Sequence, residues 1–199
     1  MKFKIDQDRT FVTSDCHVNH VNILQYCRGA FASTVEDMND MLTQRWNDTV
    51  SPTDDVIILG DIVMGKRSES LEIVKTWHGN KFLVPGNHDN VHPMFAAKKN
   101  FQMMVEMYQA AGIVILPPVI QIVCDDITFD ACHFPFDGDH TGEVRFQEWR
   151  PKDSGNWLLH GHVHGTGSAV GDRQIDVGVD AHNMTPVSMT DIVRLASLA

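Results

Sequence analysis

Hydrophobic positions in the first half of the chain follow two alternating periods. Over residues 35–47 the apolar side chains recur at intervals of three and four, which predicts an amphipathic helix. Residues 56–59 form an uninterrupted apolar run closed by Gly60, which is typical of a strand buried on both faces. By the same criteria, further helices are predicted over 19–27, 68–77 and 94–111, and further strands over 11–14 and 81–84.

Strands dominate the second half of the chain. They are predicted over 113–116, 119–123, 127–132, 157–159, 168–171 and 174–177. Residues 134–155 lack periodicity and predict a long loop, and a last helix is expected from about Thr190 with Ser188 as its cap. The change from alternating helices and strands to mainly strands predicts a layered α/β sandwich, organised as one domain over residues 1–199.

Composition and charge narrow the classes of partner. The 199 residues are 43% hydrophobic and 21% charged, as in ordinary globular proteins, and the net charge is −10. This charge repels duplex nucleic acid, so we expect no such partner. No apolar run is long enough to span a membrane, and no secretion signal is visible. The four cysteines lack a Cys-x-x-Cys spacing, which predicts reduced thiols in a cytoplasmic protein.

The side chains that most often bind metals cluster at the ends of predicted strands. Five such segments occur in order, namely Asp15-Cys16-His17, Gly60-Asp61, Gly86-Asn87-His88-Asp89, His133 and Gly161-His162-Val163-His164. Strand carboxyl ends share one edge of a sheet, where α/β proteins bind their ligands. Residues two apart in an extended chain point the same way, so each Asp-x-His or His-x-His pair can face one centre. These carboxylates and imidazoles suffice for two divalent ions.

These motifs resemble those of the calcineurin-like metallophosphoesterases, which carry D-x-H, G-D, G-N-H-D/E, a lone H and G-H-x-H. The chain is similar above all to the small single-domain bacterial and phage members that begin with Ser-Asp-x-His-x-x-His, here residues 14–20. The resemblance extends over about residues 11–188. It implies a four-layer α/β/β/α sandwich of mixed sheets.

The resemblance also implies which residues bind metal. The first ligand set would be Asp15, His17, Asp61 and His164, and the second Asp61, Asn87, His133 and His162. Asp61 would bridge two divalent ions with its two carboxylate oxygens. The ions would be Mn, Fe, Zn or Ni, because the ligand types alone do not select among these metals. Of the four, Mn is favoured.

The resemblance further implies the reaction. A hydroxide activated by both ions would attack phosphorus, while His88 protonates the leaving oxygen and Asp89 orients His88. Asn87, His88 and His20 would bind the substrate. We expect the substrates to be small phosphodiesters such as cyclic nucleotides. The alternative activity is that of a phosphomonoesterase or a protein phosphatase. A metal-binding scaffold without enzymatic activity is the alternative from a different functional class. A repair nuclease is disfavoured by the short chain and the acidic charge.

Four further features concern the surroundings of the site, and the first two leave alternatives open. His20 is either a phosphate contact or an exposed residue at a helix N-terminus. The segment 134–155, with His140, two arginines and three aromatic residues, is either a lid that binds a second phosphate or a base, or a solvated loop with its aromatics on the core. His182 is expected near the metal ligands, and Cys16 is expected to make the site sensitive to oxidation.

Overall fold

The computed structural model describes residues 1–139, 143–165 and 170–198. Its strands are β1 (Lys2–Lys4), β2 (Thr10–Thr13), β3 (Asp55–Ile58), β4 (Asn80–Leu83), β5 (Ile113–Ile115), β6 (Val119–Cys124), β7 (Ile127–Cys132), β8 (Trp157–His160), β9 (Val170–Gly171), β10 (Gln174–Asp176) and β11 (Val187–Ser188). Its α-helices are α1 (Val21–Ile23), α2 (Val35–Thr49), α3 (Arg67–Lys75), α4 (Phe101–Ala110) and α5 (Met189–Leu198).

The strands form two mixed sheets. The five-stranded sheet has the order β11-β2-β3-β4-β5, with β2 to β5 parallel and β11 antiparallel to β2. The six-stranded sheet has the order β1-β6-β7-β8-β10-β9, in which β6–β7 and β9–β10 are the antiparallel pairs. The predicted α/β class is therefore confirmed.

Strand β3 shows how the layers are held together. Val56 and Ile58 face the core under α2, α3 and α4, whereas Ile57 faces the six-stranded sheet. All three side chains are fully buried, as the apolar run predicted. Helix α5 adds Met189 and Ile192 to the core between the sheets. The five-stranded sheet is thus enclosed between a helical layer and the second sheet.

We call residues 134–155 the 134–155 loop, and the aromatic residues in its described part pack on the outer face of the six-stranded sheet. Phe134 and Trp149 contact the cluster formed by Cys132 and Leu158 on that face. Within the described residues, the loop contains one short 3-10 turn, Gln147–Trp149. A loop therefore covers this part of the sheet, as the lack of periodicity predicted.

Two helices differ from the prediction. The helix expected over 94–111 is a 3-10 turn, Pro93–Phe95, followed by α4, because the polar stretch before Phe101 forms turns instead. The helix expected over 19–27 begins as α1 and continues as a π-helical turn, Leu24–Arg28. The Ser188 cap is confirmed, since its Oγ accepts a hydrogen bond from the backbone N–H of Asp191 at 3.1 Å.

Two strands were missed, and one lies partly outside the described residues. Strand β1 is short and charged, yet it pairs in parallel with β6. Strand β11 has two residues and was not predicted. Of the strand expected over 168–171, residues 168 and 169 lie outside the described residues, and the other two form β9.

Candidate metal centre

The five predicted segments meet where the carboxyl ends of the two sheets face each other. Three of them follow β2, β3 and β4 of the five-stranded sheet, and two follow β7 and β8 of the six-stranded sheet. The backbone N–H of His162 donates a hydrogen bond to Oδ2 of Asp15 at 2.9 Å, so the edges of both sheets are in direct contact. One cluster therefore contains all seven predicted metal ligands.

Asp61 lies at the middle of the cluster. Its Oδ2 is 3.7 Å from Nε2 of His17 and 3.5 Å from Nε2 of His133. Its Oδ1 accepts a hydrogen bond from the backbone N–H of His88 at 2.8 Å. A single carboxylate oxygen, Oδ2, therefore faces both ligand sets. The expectation that Asp61 bridges two ions stays a prediction, and the backbone hydrogen bond already occupies one lone pair of Oδ1.

The first ligand set is compact. Oδ1 of Asp15 lies 3.7 Å from Nε2 of His17 and 3.9 Å from Nε2 of His164. The two imidazole rings stack with their centroids 5.0 Å apart. The donor atoms of these three residues all lie within 4.8 Å of one another. This spacing suits one ion.

The second ligand set surrounds His133. Nδ1 of His133 lies 2.8 Å from the carbonyl oxygen of Leu59, which makes this nitrogen the protonated one and directs the lone pair of Nε2 at the site. Nε2 lies 3.1 Å from Oδ1 of Asn87, and the ring centroid is 5.1 Å from that of His162. Asp15, Asp61 and His133 also form a group with metal-binding spacing.

Unpaired buried atoms show that these residues fit divalent metal ions. Oδ1 of Asp15 and both ring nitrogens of His17 are buried with no hydrogen-bond partner. Such groups are rare in folded proteins because each costs free energy unless something binds it. Two ligands at about 2.1 Å from one tetrahedral ion lie roughly 3.4 Å apart, close to the separations seen here. The nitrogen and oxygen donors suit Mn, Fe, Zn or Ni.

Backbone strain is concentrated at the ligands. Five of them have φ between +48° and +73°, namely Asp15, His17, Asp61, His162 and His164. Residues other than glycine rarely adopt this left-handed region, and such strain clusters at functional sites. Glycines allow the close approach, because a Cβ on Gly86 would collide with Oδ1 of Asp61, and one on Gly161 with Oδ2 of Asp15.

The electrostatics reflect crowded charges. Burial raises the pKa of Asp61 to about 6, and the neighbouring carboxylate of Asp15 adds to the shift. Burial alone would raise the pKa of Asp15 too, but His17 and His164 hold it well below its usual range. Two adjacent buried carboxylates repel each other, and a divalent cation between them would relieve that repulsion.

His88 lies at the open side of the cluster. Its side chain is 41% exposed, and its Nε2 is 4.0 Å from Oδ2 of Asp61. Burial lowers its pKa to about 4, and the nearby His133 contributes. The imidazole is thus within reach both of the metal ligands and of an entering substrate.

Asp89 does not orient His88. Its carboxylate is buried and accepts hydrogen bonds from the backbone N–H groups of Asp61 and Gly86, at 2.7 and 2.8 Å, and from that of Ile62 at 3.3 Å. The hydroxyl of Tyr108 donates the fourth at 3.3 Å. This correction follows from the fold, because the carboxylate turns inward and ties the Asp61 segment to the Gly86 segment.

His20 caps a helix and lies beside the cluster, and its contact with a phosphate stays a prediction. Its Nδ1 accepts a hydrogen bond from the backbone N–H of Ile23 at 3.0 Å and so caps α1. Its ring centroid lies 5.2 Å from that of His17, and the side chain is only partly exposed. Because Nδ1 is an acceptor, Nε2 carries the proton and can donate to a ligand at the site.

Sequence reasoning missed two carboxylates that contact the histidines of the last segment. Asp180 lies 2.8 Å from Nδ1 of His164, and Asp139 lies 3.0 Å from Nε2 of His162. His182, which was expected near the site, instead has its Nε2 2.6 Å from the backbone carbonyl oxygen of Asp176. The residues around His182 did signal proximity to the site, but Asp180 is the side chain that contacts a ligand.

The 134–155 loop uses its aromatic residues for packing. Phe134 is buried, and Phe136, Phe146 and Trp149 pack against it or beside it. Arg145 and Arg150 both approach Asp139, at 2.8 and 3.6 Å. Among the described residues the aromatics therefore pack on the core, as one of the two interpretations predicted, while binding of a base or a second phosphate by the loop stays a prediction. His140 lies outside the described residues.

Cys16 is deeply buried. Its side chain is 1% exposed and packs in the core under the helices. Burial raises the pKa of its thiol to about 12, which disfavours the reactive thiolate. The expected sensitivity to oxidation at this position stays a prediction, and the burial argues against it.

None of the helices in the described ranges has both the length and the apolar content that crossing a bilayer requires.

Comparisons with known proteins agree with the geometry. A family model described as calcineurin-like phosphoesterase matches residues 9–166. Gene 66 protein of Mycobacterium phage L5 is 33% identical over 181 residues, which are 86% of this chain and 86% of the phage protein. An uncharacterised protein of Methanocaldococcus jannaschii is 28% identical over 94% of this chain and 90% of its own length.

One solved structure shares the fold over nearly its full length. It is a protein of unknown function from Aquifex aeolicus, with a TM-score of 0.71 and 21% sequence identity. The similarity covers 94% of this chain and 98% of that protein.

Proposed function

Because the chain belongs to the calcineurin-like phosphoesterase family and is a metal-dependent phosphoric ester hydrolase, we propose that it hydrolyses small phosphodiesters, cyclic nucleotides included, at a centre of two divalent ions. The observation that carries this proposal is the position of Oδ2 of Asp61, within 3.7 Å of one histidine from each ligand set. A carboxylate oxygen shared in this way is what a two-ion centre requires.

The proposed ligands are the two sets already described, joined at Asp61. Asp15, His17 and His164 complete the first set, and Asn87, His133 and His162 complete the second. Two divalent ions bound there, with Mn favoured, would supply an activated water as nucleophile and neutralise charge on the phosphoryl group. The protein would contribute a cradle of ligands that are mostly buried.

The substrate contacts lie at the open side of the centre. His88 is placed to donate a proton to the leaving oxygen, since its imidazole is partly exposed and faces Asp61. His20 would donate from Nε2 to a phosphoryl oxygen. The Asn87 amide carries no charge, so as a ligand it leaves the second ion more strongly polarising.

The charge balance favours a diester over a monoester. A phosphomonoester carries close to two negative charges at neutral pH, and a diester carries one. Arg145 and Arg150, the arginines of the 134–155 loop, are engaged by Asp139. These three side chains together keep one net positive charge, and both guanidiniums already have a carboxylate partner before a substrate binds. The net charge of −10 also disfavours highly charged substrates.

A cytoplasmic location accompanies this proposal. It is supported by the cysteines, all four of which are unpaired in the structure.

Hydrolysis of two synthetic esters tests the proposed function. Metal-stripped protein would be assayed with bis-p-nitrophenyl phosphate and p-nitrophenyl phosphate after restoring Mn, Ni, Zn or Fe, and then with cyclic nucleotides. We expect metal-dependent turnover with kcat/KM at least about tenfold higher for the diester, a preference of ~1.4 kcal/mol. A preference for the monoester would assign a phosphatase instead. No turnover in protein that holds two ions would support the scaffold.

A further inference from the structure

Each histidine of the Gly-His-x-His segment has one ring nitrogen against a carboxylate from a distant part of the chain. Nδ1 of His164 lies 2.8 Å from Oδ2 of Asp180, and Nε2 of His162 lies 3.0 Å from Oδ2 of Asp139. The two histidines thus use opposite nitrogens for these contacts. Coordination of a metal would therefore go through Nε2 of His164 and Nδ1 of His162.

An arginine holds the first carboxylate in the interior. Arg28 donates from Nε to Oδ1 of Asp180 at 2.8 Å and from Nη2 to Oδ2 at 2.9 Å. Its guanidinium also donates to the carbonyl oxygens of Cys16 and Asp15, at 2.8 and 2.5 Å. The arginine side chain is fully buried and that of Asp180 is 3% exposed. Arg28 therefore connects the segment that supplies Asp15 with the carboxylate that holds His164.

Arginines of the 134–155 loop hold the second carboxylate. Asp139 accepts a hydrogen bond from Nη2 of Arg145 at 2.8 Å, and Nη2 of Arg150 lies 3.6 Å from it. Arg150 also donates to the carbonyl oxygens of Pro135 and Arg145, each at 3.0 Å, which fixes the loop around the carboxylate. The Asp139 side chain is fully buried, whereas that of Arg145 is 40% exposed. The loop is thereby attached to His162.

We propose that these two Arg–Asp–His arrangements are positioning devices, and that each one sets the affinity of a different metal ion. The pair Arg28–Asp180 would act on the first ion through His164, and Asp139 with its arginines on the second ion through His162. A carboxylate at the outer nitrogen of a ligating imidazole fixes its tautomer and orientation and makes the other nitrogen more basic. Removing such a partner typically weakens metal binding by about 10–100-fold. This inference rests on the proposed two-ion centre.

The pairs differ in a way that matters for the ions. The first is enclosed in the core and links two proposed ligands of one ion, Asp15 and His164. The second depends on a loop whose arginine reaches solvent. The second ion is therefore the one whose affinity follows the conformation of the 134–155 loop.

Metal titrations of three variants test the inference without any substrate. Asp180→Asn and Asp139→Asn each remove one carboxylate, and Asp191→Asn is the matched control because it breaks an aspartate–arginine pair, with Arg194, on α5, outside both the site and the 134–155 loop. Mn²⁺ binding would be measured by calorimetry and by electron paramagnetic resonance. We expect each of the first two variants to weaken one of the two dissociation constants about 10–100-fold and the control to change neither.

A second background identifies which ion is affected. In His133→Ala the second ligand set is incomplete, so one ion should remain. On this background Asp180→Asn should still weaken Mn²⁺ binding about 10–100-fold, and Asp139→Asn should not. If both variants weakened the remaining ion equally, or if neither variant changed any constant in the wild-type background by more than about twofold, the inference would be overturned.

Two further comparisons distinguish a failure of this inference from a folding defect and from a failure of the proposed function. If Asp180→Asn does not fold, Arg28→Lys replaces it, because lysine keeps the charge but not the two-pronged contact, and the same loss of affinity is expected. Wild-type protein that binds two ions but hydrolyses no ester would refute the proposed function and leave this inference standing. Conversely, if the wild-type enzyme is active and the variants bind both ions with unchanged dissociation constants, this inference would be refuted and the proposed function would stand.

Discussion

The backbone N–H of His88 donates a 2.8 Å hydrogen bond to Oδ1 of Asp61. The two oxygens of this carboxylate therefore have different contacts. Oδ1 accepts a backbone hydrogen bond, and Oδ2 faces Nε2 of His17 and Nε2 of His133. The residue that joins the ligand sets is therefore fixed by the same segment that presents His88 to the substrate.

Replacing Asp61 by Asn should remove the metal while preserving the fold. The amide oxygen can still accept from His88, which directs the NH₂ group, a donor that cannot ligate a cation, at both histidines. We expect loss of both ions by elemental analysis and a fall in kcat/KM of at least about 10³-fold, or ~4 kcal/mol. An unchanged thermal midpoint in metal-free protein is the control. Retention of two ions would contradict the assignment of Asp61.

Replacing His88 by Gln should produce an effect that depends on the leaving group. A proton donor matters most when the departing oxygen is strongly basic, and such assistance is typically worth about 10²–10⁴-fold. We expect a loss in that range for alkyl or nucleoside esters and a much smaller one for p-nitrophenyl esters. Metal content should remain at the wild-type value. Equal losses for both classes of ester would mean that His88 binds the phosphate and does not protonate the leaving oxygen.

Replacing Asp89 by Asn should reduce stability rather than alter proton transfer. The carboxylate accepts hydrogen bonds from three backbone N–H groups, and an amide presents a donor to some of them. We expect the free energy of unfolding of metal-free protein to fall by at least about 3 kcal/mol. Tyr108→Phe removes a single 3.3 Å bond and should cost only about 1 kcal/mol. If Asp89→Asn instead lowered activity more for alkyl esters than for p-nitrophenyl esters, as expected for His88→Gln, Asp89 would after all orient His88.

The buried thiols should be inert in the folded protein. Burial raises the pKa of both Cys16 and Cys132 to about 12, so at pH 8 only on the order of 10⁻⁴ of each is thiolate. We expect a thiol reagent to leave both unmodified in native protein and to modify all four cysteines after unfolding, as read by mass spectrometry. Prompt labelling of Cys16 in the native state, with loss of activity, would show that the site is open to oxidation.

The grouping of the seven candidate ligands could be predicted from sequence because each belongs to a short motif directly after a strand. The carboxyl ends of parallel strands lie at one edge of a sheet. Local patterns such as Asp15-Cys16-His17 were therefore enough to predict that residues distant in sequence lie close together. The apolar run of β3 likewise identified a central strand without knowledge of its neighbours.

The residues that support those ligands could not be predicted in the same way. Arg28 and Asp180 are 152 positions apart, and no local pattern marks either as a partner of His164. Asp139 lies in a stretch without periodicity. The start of α4 was predicted too early, because Met94 and Phe95 are apolar and were included in the helix. The backbone hydrogen bonds between these residues and Phe101 form turns instead. These features are set by tertiary contacts.

Titration of metal-stripped protein with Mn²⁺, followed by electron paramagnetic resonance, tests the central claim most directly. Two ions joined by one carboxylate oxygen should be magnetically coupled, so the six-line signal of isolated Mn²⁺ should give way to a coupled spectrum as the second ion binds. We predict saturation at two ions per chain, with diesterase activity rising in step with the coupled signal. Saturation at one ion, or two ions that remain uncoupled, would contradict the account.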